Sequence, residues 1–242
     1  MDWQIHVLAF MLCYVIGSIT FTRVVPKILR PNEKFVNPEV AVEGTNLTYK
    51  VGSYGAAAAS MQFGPRIGLL ISLGDILKVT IPVLVFRWLY PQQTYLLSAA
   101  VGGMAGHIWP IFFKFKGGRG ISAYYGGLFA IDPIGAIITM SGGMFLGFAI
   151  VKDFFAAYLA GLWLLLPWIW FTTYRWEYVL YAVIVNVLVI LAMIPDLKQY
   201  TEIKKVVKVD SKMMLETTPM GRGMLKMSAW FNKVLKKKGE DV

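Results

Sequence analysis

The chain has 242 residues, 24 of them Lys or Arg and 14 Asp or Glu, which gives a net charge of +10. Hydrophobic residues make up 57% of it and the mean hydropathy is +0.57, a composition that excludes an ordinary soluble globular fold. Its single cysteine, Cys13, excludes a disulfide within the chain and a cysteine metal site. We expect no metal and no other cofactor.

Apolar stretches long enough for membrane segments recur along the chain and predict an all-α, polytopic helical bundle. In chain order the seven stretches are residues 5–21, 67–88, 95–113, 121–131, 134–151, 154–173 and 178–194. The fourth is short because Asp132 and Pro133 stop it. The first lacks a basic leader and a cleavage site, so we expect it to be retained. We therefore predict a membrane domain over 1–195 and a cytoplasmic tail over 196–242.

The distribution of Lys and Arg predicts the orientation of this bundle. With the N-terminus outside and the C-terminus in the cytoplasm, 21 cations lie in inside segments, whereas only Arg87 and Arg175 lie outside. This orientation puts the polar stretch 23–66 and the loop after the third apolar stretch on the same cytoplasmic side.

The tail carries a second charge pattern. Over residues 221–238, apolar side chains recur at helical spacing and lysines occupy much of the remainder; the apolar positions are Met224, Met227, Phe231 and Val234. The pattern predicts a basic amphipathic helix on an anionic leaflet, with about 1 kcal/mol of attraction per cation. A solvated, disordered tail is the alternative. Orientation and tail together account for most of the net charge, so we expect no nucleic-acid partner, and no pattern indicates an oligomeric state.

Residues 114–120, the glycine loop, separate the third and fourth apolar stretches. The loop holds three cations and three glycines: Lys114, Lys116, Arg119, Gly117, Gly118 and Gly120. Glycines let backbone N–H groups approach a ligand closely, and successive amides beside fixed cations favour an anion such as phosphate. The loop is not a Walker motif, because the required spacing and the Lys-Ser/Thr ending are absent.

Two further stretches carry unusual residues. Asp75 and Lys78 are three apart within the second apolar stretch, so they share one helix face. Either they form an ion pair that holds helices together, or they face a polar site near the inner surface. Residues 52–64 are rich in small side chains, which favours a closely packed re-entrant or interfacial segment.

Residues 106–122 read G-H-I-W-P-I-F-F-K-F-K-G-G-R-G-I-S and resemble the second motif of the PlsY family, approximately G-H-x-F/Y-P-V-F-x-x-F-K-G-G-K-G-V-A. Residues 17–19 resemble that family's first-helix G-S-I, and residues 75–78 resemble its D-L-L-K. The likeness covers roughly 8–194. PlsY proteins are integral-membrane glycerol-3-phosphate acyltransferases that use acyl-phosphate.

The resemblance implies attack of the 1-hydroxyl of glycerol 3-phosphate, or a related polyol phosphate, on an acyl-phosphate, giving lysophosphatidate without a metal. Partners would be these two substrates and membrane lipids, at a site facing the cytoplasm of a multi-pass cell-membrane protein. The phosphate-binding residues would be Lys116, Gly117, Gly118, Gly120, Lys78 and Ser122. The catalytic residues would be His107, Arg119 and Ser53. His107 would orient the loop or stabilise charge; alternatively, it only binds a carbonyl.

The chain departs from the family in its first and third motifs. If the last glycine of the first motif is Gly64, Ser53 stands for an asparagine, residues 57–58 (Ala-Ala) for Thr-Asn, and Met61 for an arginine. Another alignment places residues 44–47 on this motif. Residues 196–205 replace the third motif, H-R-x-N-I-x-R-L. Two functions are therefore favoured: a phospholipid-forming acyltransferase, or a non-catalytic family-derived protein that binds acyl-phosphate or phospholipid headgroups. A transporter or channel is a third alternative, for which we find neither inverted repeats nor polar residues in several apolar stretches.

Overall fold

The structure is a computed structural model and describes residues 2–41, 48–50, 54–151 and 154–206. Several sequence predictions lie outside these residues: the role of Ser53, the alternative first-motif alignment over 44–47, and the amphipathic helix over 221–238. The described residues are mostly helical, as expected for an all-α membrane bundle.

Most helices in the described part follow one another with short connections, but residues 30–55 separate the second from the third. They are α1 (Trp3–Gly17), α2 (Phe21–Leu29), α3 (Ala56–Phe63), α4 (Pro65–Leu89), α5 (Tyr95–Ile108), α6 (Ile121–Ile131), α7 (Pro133–Phe145), α8 (Phe154–Thr173) and α9 (Trp176–Val206). A 3₁₀ turn covers Ile111–Phe113 and a π-helical turn covers Leu146–Val151. Two short strands, β1 (Glu39–Ala41) and β2 (Thr48–Lys50), pair antiparallel with Glu39 opposite Lys50.

Each of the seven predicted apolar stretches contains a helix. Four helical segments are long and apolar enough to cross a bilayer: Trp3–Leu29, Pro65–Leu89, Tyr95–Phe113 and Trp176–Ile203. The apolar helices Ile121–Ile131, Pro133–Phe145 and Leu159–Thr173 are shorter. A helical bundle with membrane-capable helices is thus observed, whereas seven crossings and the outside N-terminus stay predictions.

The predicted break between the fourth and fifth stretches has a clear local cause. Asp132 caps α7, because its Oδ1 accepts a hydrogen bond of 2.8 Å from the Gly135 N–H. Pro133 begins the helix, where it has no backbone bond to lose. The other carboxylate oxygen of Asp132 accepts a bond of 2.7 Å from Trp168 Nε1, which ties the break to α8.

Helix α5 lies at the centre of the bundle, in contact with α1, α4, α6 and α9. It approaches α1 closely through Gly102 and Gly106, one turn apart: a methyl group at either position would overlap a backbone oxygen of α1. At the end of α5, the Tyr14 hydroxyl donates a bond of 2.7 Å to the Trp109 carbonyl. Helix α1 therefore fixes the point from which the glycine loop leaves the bundle.

Helix α9 continues through Pro195 to Val206. The predicted boundary between membrane domain and tail, at 195, therefore falls inside a helix, and Asp196 is buried within it. Because the residues just after the boundary remain helical, they can pack against the rest of the bundle.

Candidate active site at the glycine loop

The chain reverses direction between α5 and α6. Lys114 and Phe115 have φ values of 53° and 58°, and Gly120 has 87°. Left-handed conformations at two consecutive non-glycine residues are energetically unfavourable and are held by surrounding structure. Here the N–H groups of Phe113 and Phe115 both donate to the Pro110 carbonyl at 3.1 Å. The reversal folds residues 116–120 back over the end of α5.

His107 is the residue that the loop folds onto. The Gly118 N–H donates to the His107 carbonyl at 3.1 Å, and a methyl group at Gly118 would overlap the imidazole at Nε2. A methyl group at Gly117 would overlap the same carbonyl oxygen. The two glycines are therefore required by the close approach of loop and helix, a reason that is independent of any ligand.

The sequence suggested that successive backbone N–H groups of the glycine loop are available to an anion. In the structure, some of these N–H groups are already engaged. The Lys116 N–H donates to the Phe113 carbonyl at 3.1 Å, and that of Gly118 to His107. The N–H groups of Gly117 and Gly120 make no hydrogen bond within the described residues. An anion at the loop would thus meet fewer backbone donors than the spacing of the glycines predicts.

The imidazole of His107 belongs to a buried charged cluster. Asp75 Oδ1 lies 2.7 Å from Lys78 Nζ and 3.4 Å from His107 Nδ1, and all three residues are at most 7% exposed. Lys78 also donates to the Ile19 carbonyl at 2.6 Å. The ion pair of the first interpretation of Asp75 and Lys78 is observed, and the second, that the pair faces a polar site, stays a prediction. Two of the three Lys78 donors are thus engaged.

Arg119 is paired as well. Its guanidinium forms an ion pair with Asp196 of α9, whose side chain is 2% exposed against 18% for that of Arg119. Asp196 is the first residue of the segment that replaces the family's third motif. The contact ties the glycine loop to α9 and compensates the charge of Arg119.

The other predicted site residues lie nearer the surface. Lys114 and Lys116 are exposed and make no ion pair with any residue in the described ranges. Ser122, in the first turn of α6, has its Oγ 3.3 Å from that of Ser72 on α4. Both serine hydroxyls therefore have a partner within the bundle.

Sequence reasoning missed two residues that meet at this loop. The Tyr54 N–H donates to the Gly117 carbonyl at 3.1 Å, and the Tyr54 carbonyl accepts a bond of 3.1 Å from Thr22 Oγ1. Arg23, the next residue along α2, places its guanidinium carbon 4.4 Å from the centre of the Tyr54 ring. The only signal for Arg23 was its charge at the end of the first apolar stretch.

With this geometry in place, comparison with known proteins decides the family. A sequence model described as glycerol-3-phosphate acyltransferase matches residues 7–208. The chain belongs to that family. The PlsY resemblance inferred from the motifs is thereby confirmed, and with it an integral-membrane, acyltransferase-type protein.

Individual relatives agree with this assignment. A glycerol-3-phosphate acyltransferase 1 of Bacillus cereus is 31% identical over 138 residues, which cover 57% of this chain and 68% of the relative. A glycerol-3-phosphate acyltransferase of Pelagibacter ubique is 34% identical over 119 residues, covering 49% of this chain and 55% of the relative. The matched segments thus span little more than half to two thirds of these relatives.

Two solved structures share the fold. Both are crystal structures of PlsY, an integral-membrane glycerol 3-phosphate acyltransferase, one in its glycerol 3-phosphate form and one in its lysophosphatidic acid form. The TM-scores are 0.66 and 0.64 at 21% and 23% identity, and each alignment covers 81% of this chain and 92% of PlsY. At this identity, the likeness establishes the architecture of the bundle.

Proposed function

We propose that this protein transfers an acyl group from an acyl-phosphate to the 1-hydroxyl of glycerol 3-phosphate or a related polyol phosphate. The product would be lysophosphatidate, a phospholipid precursor. The observation that carries the proposal is the cationic glycine loop held against buried His107, at the motif on which the family resemblance rests. The acyl-phosphate donor is inferred from that resemblance.

The proposed step balances without a cofactor. The acceptor oxygen attacks the carbonyl carbon, a new C–O ester bond forms, and the bond from that carbon to the phosphate oxygen breaks. Phosphate leaves with the electron pair, and the hydroxyl proton passes to phosphate or solvent. Because phosphate is a good leaving group, we expect the protein to act mainly by holding both substrates with their reacting atoms about 3–3.5 Å apart.

The loop residues would share this work. Exposed Lys116 and the N–H groups of Gly117 and Gly120 would bind the phosphate, and the oxyanion would draw on the same donors. His107 and Arg119 would act through the shape of the loop, because each is already bound to it or to a carboxylate. Lys78 would also donate to the phosphate, and so would Ser122 from the first turn of α6. Ser53, adjacent to Tyr54 in sequence, would orient the acceptor hydroxyl.

The reaction is tested with purified protein, palmitoyl-phosphate and glycerol 3-phosphate. We expect lysophosphatidate and inorganic phosphate in equal amounts, and no phosphate release when the acceptor is left out. Phosphate release at the same rate without an acceptor would indicate a hydrolase and would overturn the proposal.

A second candidate, a non-catalytic protein that binds acyl-phosphate or headgroups, is favoured by one observation. Two of the cations expected at the site, Lys78 and Arg119, are compensated by Asp75 and Asp196. Such a protein would be stabilised against heat by acyl-phosphate yet form no product with any polyol phosphate. Product formation with any acceptor rejects it.

We also propose that the glycine loop faces the cytoplasm of a multi-pass protein, on the strength of the charge distribution. The test uses Lys116→Cys in a Cys13→Ser background, because Cys13 is buried and its replacement leaves one reactive thiol. In right-side-out vesicles, a membrane-impermeant maleimide is expected to label the thiol only after the vesicles are opened. Labelling of intact vesicles would reverse the proposed orientation.

A further inference from the structure

The guanidinium of Arg23 packs against two aromatic rings. Its guanidinium carbon lies 4.4 Å from the centre of the Tyr54 ring and 4.6 Å from that of the Phe113 ring. These are cation–π distances, and a planar guanidinium between two rings has its orientation restricted. The two rings therefore restrict the positions that the Arg23 side chain can adopt.

Arg23, Tyr54 and Phe113 come from three separate segments that meet here. Arg23 comes from the first turn of α2, Tyr54 precedes α3, and Phe113 ends the 3₁₀ turn that leads into the glycine loop. Backbone bonds fix this junction, because Tyr54 donates to Gly117 and accepts from Thr22. Through Tyr54, which bonds to Gly117, Arg23 is thus connected to the glycine loop.

Unlike Lys78 and Arg119, Arg23 has no anionic partner within the described ranges. Lys78 is paired with Asp75 and Arg119 with Asp196. In the described part of the chain, no carboxylate forms an ion pair with Arg23, and its buried Nε has no hydrogen-bond acceptor. A buried guanidinium N–H without an acceptor is unfavourable, and an oxygen atom of a bound anion would supply one.

We infer that Arg23 binds the phosphate monoester of a substrate at the glycine loop. Arginine offers a planar fork of N–H donors that matches two phosphate oxygens, which a lysine cannot do. Both the polyol phosphate and the acyl-phosphate carry such a group. The inference rests on the proposed function, because it concerns the same site.

The test compares Arg23→Gln and Arg23→Lys with Lys27→Gln. Lys27 is an exposed cation on the same helix, one turn away, and serves as the matched control for the loss of a charge. Each variant is assayed at varied glycerol 3-phosphate with palmitoyl-phosphate saturating, and then in the reverse arrangement. Thermal unfolding with and without inorganic phosphate gives a readout that needs no turnover.

We expect Arg23→Gln to raise one KM roughly tenfold or more, with a smaller change in kcat, because a charged hydrogen-bonding partner of the bound phosphate is lost. A rise confined to glycerol 3-phosphate assigns Arg23 to the acceptor, and a rise confined to palmitoyl-phosphate assigns it to the donor. Arg23→Lys is expected to raise the same KM by roughly threefold, since the charge stays and the fork is lost. Lys27→Gln is expected to match the wild type.

The outcomes separate this inference from the proposed function. An active wild type whose KM values are unchanged in Arg23→Gln overturns the inference alone. An inactive wild type that inorganic phosphate stabilises, when Arg23→Gln is not stabilised, overturns the reaction and supports the anion site. If Arg23→Gln does not fold, Arg23→Lys decides, and wild-type KM values in that variant overturn the inference. A wild type that neither reacts nor responds to phosphate overturns both.

Discussion

The cations around the glycine loop fall into two groups that look alike in the sequence and differ in the structure. Lys78 and Arg119 are compensated by the buried carboxylates of Asp75 and Asp196. Arg23 and Lys116, in contrast, have no carboxylate partner among the residues described. The comparison teaches that the number of cations near a site says little about the charge available to a ligand. The positions of the carboxylates decide how much positive charge a ligand would meet.

The first group behaves as internal structure. Each of its cations joins two parts of the fold: Lys78 links α4 to the Ile19 carbonyl, and Arg119 links the glycine loop to α9. In the second group, Lys116 is an exposed residue of the loop and Arg23 packs on Tyr54 and Phe113 next to it. If this division is correct, variants of the first group change stability most and variants of the second group change substrate affinity most.

The largest effect is expected from Lys78→Met. The substitution leaves Asp75 buried without its closest cation, and breaking a buried pair from one side typically costs about 3–5 kcal/mol. We expect a correspondingly lower midpoint of thermal unfolding in detergent. The double variant Asp75→Leu with Lys78→Met removes both charges and is expected to recover part of the loss. A single variant as stable as the wild type would move Lys78 into the second group.

A smaller effect is expected for the ion pair between the loop and α9. We expect Asp196→Asn and Arg119→Gln, combined in a double-mutant cycle, to show a coupling of about 1–3 kcal/mol in unfolding free energy. Because the pair holds the loop, each single variant is also expected to lower kcat. Additive stability effects would show that the two side chains do not interact in the membrane protein.

The smallest effect on stability is expected for Lys116→Gln. Exposed substitutions usually change the unfolding free energy by less than about 0.5 kcal/mol, so the unfolding midpoint is expected to stay within error. The KM for glycerol 3-phosphate is expected to rise about threefold, and the rise should shrink at high salt, which screens exposed charges. A destabilised variant with unchanged KM would contradict the division into two groups.

Much of this molecule could be predicted from local signals in the sequence. Hydropathy located the apolar helices, the dipeptide Asp132-Pro133 located a helix boundary, and the three-residue spacing of Asp75 and Lys78 indicated a shared face. The pairing of Arg119 with Asp196 could not be predicted in this way, because it depends on how α9 packs against a distant loop. The contact of Arg23 with Tyr54 and Phe113 could not be predicted for the same reason, since three segments far apart in the chain must meet to form it.

The backbone hydrogen bonds of the glycine loop could not be predicted from the sequence either. The composition of the loop drew attention to residues 114–120 as a candidate site, but composition could not tell which amides the fold would use. Gly118 is required because His107 lies directly against it, and its N–H is engaged there. The spacing of glycines therefore located the candidate site without revealing its donors.

The central claim, acyl transfer at the glycine loop, is tested most directly by measuring lysophosphatidate formation in the wild type, Gly118→Ala and Gly142→Ala. A methyl group at Gly118 overlaps the His107 ring, whereas one at Gly142, in α7, meets only the mobile end of Leu164. We predict acceptor-dependent product from the wild type and Gly142→Ala, with at least a roughly hundredfold loss in Gly118→Ala, consistent with misplacement by about an ångström. Equal product from all three proteins would contradict the account.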